Sequence, residues 1–247
     1  MIEILIRFAL VLTRLSAFFL VLPIFSWRAI PARIKVATML LLSFFFALFI
    51  PLSSPSASPS ALQFILWMLS EATYGLALGL ITVLIFSVVK CSGRIIERQM
   101  GFAMAEVLDP LTGDRTQPLG GLLETLFILF FFAANGHHLL LQIILRSYQA
   151  FPLGSMPSIG ILTSGVVKAG SAMLVASLKL SAPILAAFVV MLVVLGIFAR
   201  IVPDMNVLFI SMPVRVGLGM IMVIAFLPFI REFVAEFAEL ANTLLPI

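Results

Sequence analysis

Residues 166–199 read VVKAGSAMLVASLKLSAPILAAFVVMLVVLGIFA, an apolar run interrupted by Lys168 and Lys179. A helix of about 20 mostly apolar residues crosses a bilayer, so this run is long for one span. In hydrocarbon the backbone must satisfy its own hydrogen bonds, and an open-ended segment does so only as a helix. No apolar–polar alternation argues for a membrane barrel. Outward from this run the same character recurs at 4–22, 36–50, 61–89, 122–145 and 205–227. The second of these is short for a span, and 61–89, like 166–199, is long and contains charge. The pattern predicts an all-α membrane protein of about six hydrophobic helices.

Composition agrees. The 247 residues are 62% hydrophobic and 11% charged, with mean hydropathy +1.23. A soluble domain has about 45–50% apolar and about 25% charged residues. Here too few polar side chains are present to cover a water-facing surface, so lipid or protein must cover it. The net charge of +4 lies between the apolar runs and reads as a topology signal, not as a nucleic-acid surface. Aromatic residues are mostly Phe, and no polar surface presents them as a base-stacking platform. A lone cysteine, Cys91, excludes an intramolecular disulfide. Residues 4–22 lack the basic flank and small-residue site of a cleaved signal peptide and read as a retained helix.

The breaks between runs are Leu22-Pro23, Ile30-Pro31, the uncharged Pro/Ser stretch 51–60, the polar connection 90–121, Phe151-Pro152 with Gly154 and Pro157, and Arg200 to Pro203. Pro228 is expected to end the last span. Beyond it, residues 229–247 form an amphipathic tail, with Phe229, Phe233, Phe237, Leu240 and Leu244 at helical spacing and Glu232, Glu236 and Glu239 on another face. The acidic face favours packing on protein over anionic lipid. If all six runs cross, loops 23–35, 90–121 and 200–204 share the side rich in Arg and Lys, and positive-inside orientation puts both termini outside the cytoplasm.

Several charges lie where lipid would be. Arg7 and Arg14 share a helix face, and Glu3 stands one turn before Arg7. Glu71 lies within 61–89, Lys168 and Lys179 lie on nearly one face, and Arg200 ends the fifth run. An uncompensated charge at mid-bilayer costs at least about 2.5–3.5 kcal/mol. These faces therefore snorkel, pair internally, pack against neighbouring subunits or line a conduit. Gly75 and Gly79 have the spacing that lets two helices approach closely.

Catalytic signatures are missing. No phosphate-binding GxxxxGK[ST], HExxH or GxSxG occurs, and no acidic series suggests a proton relay. His137 and His138 are adjacent and should point to different sides of a helix. No enzyme, metal or cofactor is expected. The informative segment is 93–121, GRIIERQMGFAMAEVLDPLTGDRTQPLGG. Gly93 to Met104 could continue a helix. Asp109-Pro110, Thr112-Gly113-Asp114, Gln117-Pro118 and Gly120-Gly121 should turn. Compliant apolar side chains on a turn-rich loop can close an opening and move aside; an ordinary solvated connection is the other reading.

At this loop the chain resembles the FliR family of flagellar export-gate proteins, whose virulence counterpart is SctT. The ordered residues are Arg14, Pro23, Ile30-Pro31, Arg33, Lys35, Gly75, Gly79, Gly93, Glu97, Gln99-Met100-Gly101, Asp109-Pro110, Asn135-Gly136-His137, Ser147, Pro152-Leu153-Gly154, Pro183, Gly196, Arg200, Pro203, Asn206-Val207, Phe209 and Pro213. They run over nearly the whole chain, 1–247, as a single domain. Asp204, His138 and Tyr148 depart from the family pattern, and Asp204 puts any role at its position in doubt.

The resemblance implies a non-enzymatic gate subunit in the bacterial inner membrane, within the flagellar basal body, whose hydrophobic helices pack as bent helical hairpins against partner subunits. FliP-like and FliQ-like subunits would complete a closed conduit for unfolded secreted proteins, with FlhB-like and FlhA-like export components nearby. Loop 101–121 would be the pore plug, carried by Gly101, Phe102, Met104, Glu106, Leu108, Asp109, Pro110, Leu111 and Gly113. Arg7, Arg14, Glu71, Lys168, Lys179 and Arg200 would be subunit-packing or conduit charges. The Asn135-Gly136-His137 and Pro152-Leu153-Gly154 patterns favour the flagellar branch over the virulence one. A secondary transporter would instead show inverted repeats and a midplane site, and no convincing repeat is visible.

Overall fold

A computed structural model describes residues 2–23, 30–51, 60–102, 118–155, 158–202 and 207–244. These contain seven helices: α1 Ile2–Val21, α2 Ala32–Phe49, α3 Ala61–Met100, α4 Pro118–Ala133, α5 Gly136–Ala150, α6 Ile159–Ile201 and α7 Val207–Leu244. The all-α membrane class read from the apolar runs holds. Five helices are long and apolar enough to cross a membrane, and α4 with α5 pass the same test only as a pair.

Local chemistry sets the ends. α2 follows Pro31 and stops at Ile50, whose φ −92°, ψ 118° is the extended conformation forced on a residue before proline, here Pro51. α3 opens with a reciprocal cap. The Gln63 amide donates to Ser60 Oγ at 3.3 Å, and the Ser60 amide donates to Gln63 Oε1 at 3.1 Å, satisfying donors that a helix start leaves open. α4 begins at Pro118, whose missing N–H is harmless in the first turn.

Three boundaries differ from those read in the sequence. The run 122–145 is broken in two, because Asn135 takes φ 59°, ψ 28°, a left-handed geometry that Asn tolerates. Gly120 and Gly121, expected to turn, lie inside α4. Pro228 does not end a span: α7 continues through Pro213 and Pro228 to Leu244. An interior proline removes a backbone donor and crowds the preceding turn. Against that, Val223, Phe226, Ile230, Phe233 and Phe237 form one buried stripe at helical spacing on both sides of Pro228. The acidic face of the tail, Glu232, Glu236 and Glu239, is exposed.

The chain divides into two compact units, each discontinuous in sequence. The first comprises Met1–Phe86, Asn135–Ser171 and Phe237–Ile247; the second comprises Ser87–Ala134 and Ala172–Glu236. In the first, α1 packs on α2 and lies against the N-terminal part of α3. A Cβ on Gly75 would collide with the Arg14 carbonyl and reach 2.8 Å from the Ala17 Cβ; one on Gly79 would lie 3.0 Å from the Phe18 carbonyl oxygen. The two glycines are thus the groove into which the α1 backbone settles. Tyr74, Ala77 and Leu162 pack with Phe151 and Val166. In the second unit, Phe127 packs on Phe131 and, at 5.8 Å between ring centroids, on Phe233.

Candidate functional site

The charges of the apolar helices separate into two kinds. Arg14 of α1 and Glu71 of α3 face each other in the first unit, 1% and 0% exposed, with Nε 2.5 Å from Oε2. The guanidinium is answered on its other edges too. Nη1 donates to the Ser147 carbonyl at 3.1 Å and to Ser147 Oγ at 3.3 Å, and Nη2 donates to the Phe151 carbonyl at 2.9 Å. These acceptors come from the last turn and C-cap of α5, where the dipole favours a cation; the Ser147 carbonyl is shared with the Phe151 amide, which donates to it at 2.9 Å. The second Glu71 oxygen accepts the Gly154 amide at 3.2 Å. Gly154 has φ 81°, a region that favours glycine, and a Cβ there would lie 3.5 Å from the Trp67 ring.

The chain has two tyrosines, and both stack on this cation. The Arg14 Cζ lies 5.1 Å from the Tyr74 ring centroid and 4.1 Å from that of Tyr148. Two aromatic faces complete a desolvated cation site. The Tyr148 hydroxyl itself has no hydrogen-bond partner among the described residues. One ion pair thus joins α1, α3, the end of α5 and the turn 151–155. Of the readings open for Arg14 and Glu71, which were internal pairing, subunit packing or a conduit, the structure shows the two paired and enclosed by their own chain. The reason is geometric: each finds its partner inside the same helix group, a contact no one-dimensional reading contains.

The remaining charges are placed differently. Arg7 pairs with Glu3 on α1. Lys168, Lys179 and Arg200 are exposed on α6, and their side chains have no ion-pair partner among the described residues. Arg215 in α7 was not singled out in the sequence. It lies within the span Phe209–Val234, and its Nε is buried without a hydrogen-bond partner among the described residues. Its signal was present, a lone charge in an apolar run. His137 and His138, expected to diverge, meet edge to face at 4.3 Å.

Of the expected plug residues, Gly101 and Phe102 are described, both partly exposed at the end of α3. Gly101 has φ 88°. Met104, Glu106, Leu108, Asp109, Pro110, Leu111 and Gly113 lie outside the described residues. Elsewhere in the second unit, α6 and α7 border a groove of about 630 Å³ lined by apolar side chains, among them Val190, Val194 and Phe198 of α6 and Ile210, Val214 and Leu218 of α7.

The model of the family described as bacterial export proteins, family 1, matches residues 5–241. The chain is 34% identical over 222 residues to the flagellar biosynthetic protein FliR of Bacillus subtilis (strain 168), covering 88% of this chain and 84% of that one. It is 28% identical over 235 residues to FliR of Escherichia coli (strain K12), covering 94% and 89%. It is 26% identical over 227 residues to the Yop proteins translocation protein T of Yersinia pestis, covering 90% and 86%.

Proposed function

The chain belongs to the bacterial export proteins, family 1, and from that membership we propose that it is a non-enzymatic subunit of the flagellar type III protein export gate in the bacterial inner membrane. It assembles with FliP-like and FliQ-like subunits into a closed conduit for unfolded flagellar proteins, beside FlhA-like and FlhB-like components. Flagellar service is preferred to virulence secretion because the FliR relatives reach 34% identity against 26% for the Yop translocation protein.

The observation that carries assembly is α6. Its 43 residues extend about 65 Å at about 1.5 Å per residue, against a hydrocarbon core of about 30 Å. Yet only 17% of its most apolar window is buried within the chain. Such a helix is too apolar for water and too long for lipid alone, so other protein covers it. The apolar groove between α6 and α7 suits a ridge of side chains from a neighbouring helix. Exposed Lys168, Lys179 and Arg200 belong to the same outward face set and meet partner carboxylates or carbonyls. Arg14 and Glu71 serve assembly indirectly, by fixing the helices that partners grip.

Loop 101–121 is the pore plug in this reading. Deleting 106–118 tests it: the complex should still assemble on native gels, while the membrane becomes leaky to ions. A tight membrane with normal export would remove the plug from the account and leave assembly standing.

A further inference from the structure

The two ends of the connection between α3 and α4 are held by contacts of an unusual kind within the second unit. Met100, the last residue of α3, is 1% exposed. Its side chain fills the place where any side chain at Gly219 of α7 would stand, since a Cβ there would lie 2.7 Å from Sδ and 2.8 Å from Cε. The next residue, Gly101, turns out of the helix with φ 88°, the left-handed step with which glycine ends a helix. Its amide still bonds the Arg98 carbonyl at 3.2 Å. The knob in the notch therefore stands immediately before the point where the chain leaves α3.

The re-entry into α4 is fastened to the same part of α3. Gly93 and Gly120 touch backbone to backbone, for a Cβ on Gly93 would lie 2.8 Å from the Gly120 Cα. The Gly120 amide reaches Glu97 Oε2 at 3.4 Å. Lys90 Nζ pairs with Glu124 Oε2 at 2.7 Å. Lys90, Gly93 and Glu97 follow one another at helical spacing, so a single face of α3 grips the first turns of α4.

We infer that Met100, seated in the Gly219 notch, is a positioning residue that fixes where the chain departs from α3, opposite the re-entry fixed by Gly93, Glu97 and Lys90. A Met side chain adapts to an irregular gap, but only glycine at 219 leaves that gap. The inference deepens the gate reading and rests on it for its consequence, because a displaced departure point would misplace the plug. Its geometry does not depend on that reading.

The test uses the co-assembled complex. Met100→Ala empties the notch, Gly219→Met obstructs it, and Met100→Ala with Gly219→Met exchanges knob and notch. Amide hydrogen exchange is followed along α3. Met100→Ala should speed exchange of Arg98–Phe102 at least about tenfold, since a lost buried side chain opens its surroundings locally, while amides at 70–85 stay unchanged. The exchanged pair should return most of that protection. Unchanged rates at Arg98–Phe102, or an equal rise along all of α3, would overturn the inference. If Gly219→Met does not assemble, Met100→Ala, which only removes atoms, decides alone. Ion leak through Met100→Ala complexes reports the plug separately. Faster exchange with no leak in the 106–118 deletion retains the positioning contact and rejects the plug; unchanged exchange with a leaky deletion does the reverse.

Discussion

Arg14 and Lys179 both interrupt apolar helices, and they have opposite fates. Arg14 is enclosed, with Glu71, Ser147 and Phe151 as acceptors and two tyrosine rings on its faces. Lys179 is exposed on a helix most of whose surface is uncovered. Hydropathy treats the two alike. The difference teaches that charge inside an apolar run has two uses, closing a chain on itself and offering it to others. The α1–α3–α5 cluster is the part of this chain finished by folding; the outward faces of α6 and α7 are left uncovered by it, and in the proposed function assembly completes them.

The sharpest way to break that contrast is at the ion pair. Glu71→Leu leaves the Arg14 guanidinium buried without its counter-charge, a change that typically costs about 3–5 kcal/mol. The detergent-solubilised complex should melt far earlier and yield little folded chain. Arg14→Leu together with Glu71→Leu should regain part of the loss, because an apolar pair leaves no uncompensated ion. Single and double variants melting with the unaltered chain would place Arg14 in the same class as Lys179. A milder change is expected at the exposed charges. Lys179→Gln with Arg200→Gln should shift the folding stability of the chain by no more than about 0.5 kcal/mol, read as unchanged amide protection of α1 and α3 in the complex that still forms, yet reduce co-purification with FliP-like and FliQ-like subunits. Equal retention of partners would remove these residues from the interface. The smallest effect concerns Tyr148. Its hydroxyl is buried without a partner among the described residues, and burying a polar group without a hydrogen bond is unfavourable. Tyr148→Phe keeps the ring over Arg14 and should raise the melting temperature slightly; a large drop would mean that the hydroxyl has a role in the cluster.

Much of the fold was legible because lipid-compatible helices announce themselves by composition. The run 166–199 lies wholly inside α6, and Leu22-Pro23, Ile30-Pro31 and Phe151-Pro152 all mark real ends. The Ser60–Gln63 cap was written in the spacing as well, though overlooked among the serines around it. The misread positions share a cause: a local punctuation rule was weighed against packing. Asn135 breaks the fourth run because an Asn-Gly step can adopt the left-handed geometry, while apolar content alone suggested continuity. Pro228 fails to break α7 because the stripe from Val223 to Phe237 keeps one face buried through it. Gly120 reads as a turn residue until its neighbour Gly93 is seen. The pairing of Arg14 with Glu71 was beyond reach, since 57 residues separate them and neither carries a mark naming the other. Gly75 and Gly79 were recognised as a close-approach pair, and the structure adds what approaches them, the α1 backbone at Arg14 and Phe18.

The central claim is that folding leaves α6 and α7 unfinished and that other export subunits complete them. Its most direct test is co-expression with FliP-like and FliQ-like chains, affinity purification through this chain, and native mass spectrometry. The account predicts a stable hetero-oligomer containing all three, with this chain aggregating or degraded when expressed alone. A well-behaved monomer or homodimer that ignores both partners would contradict it.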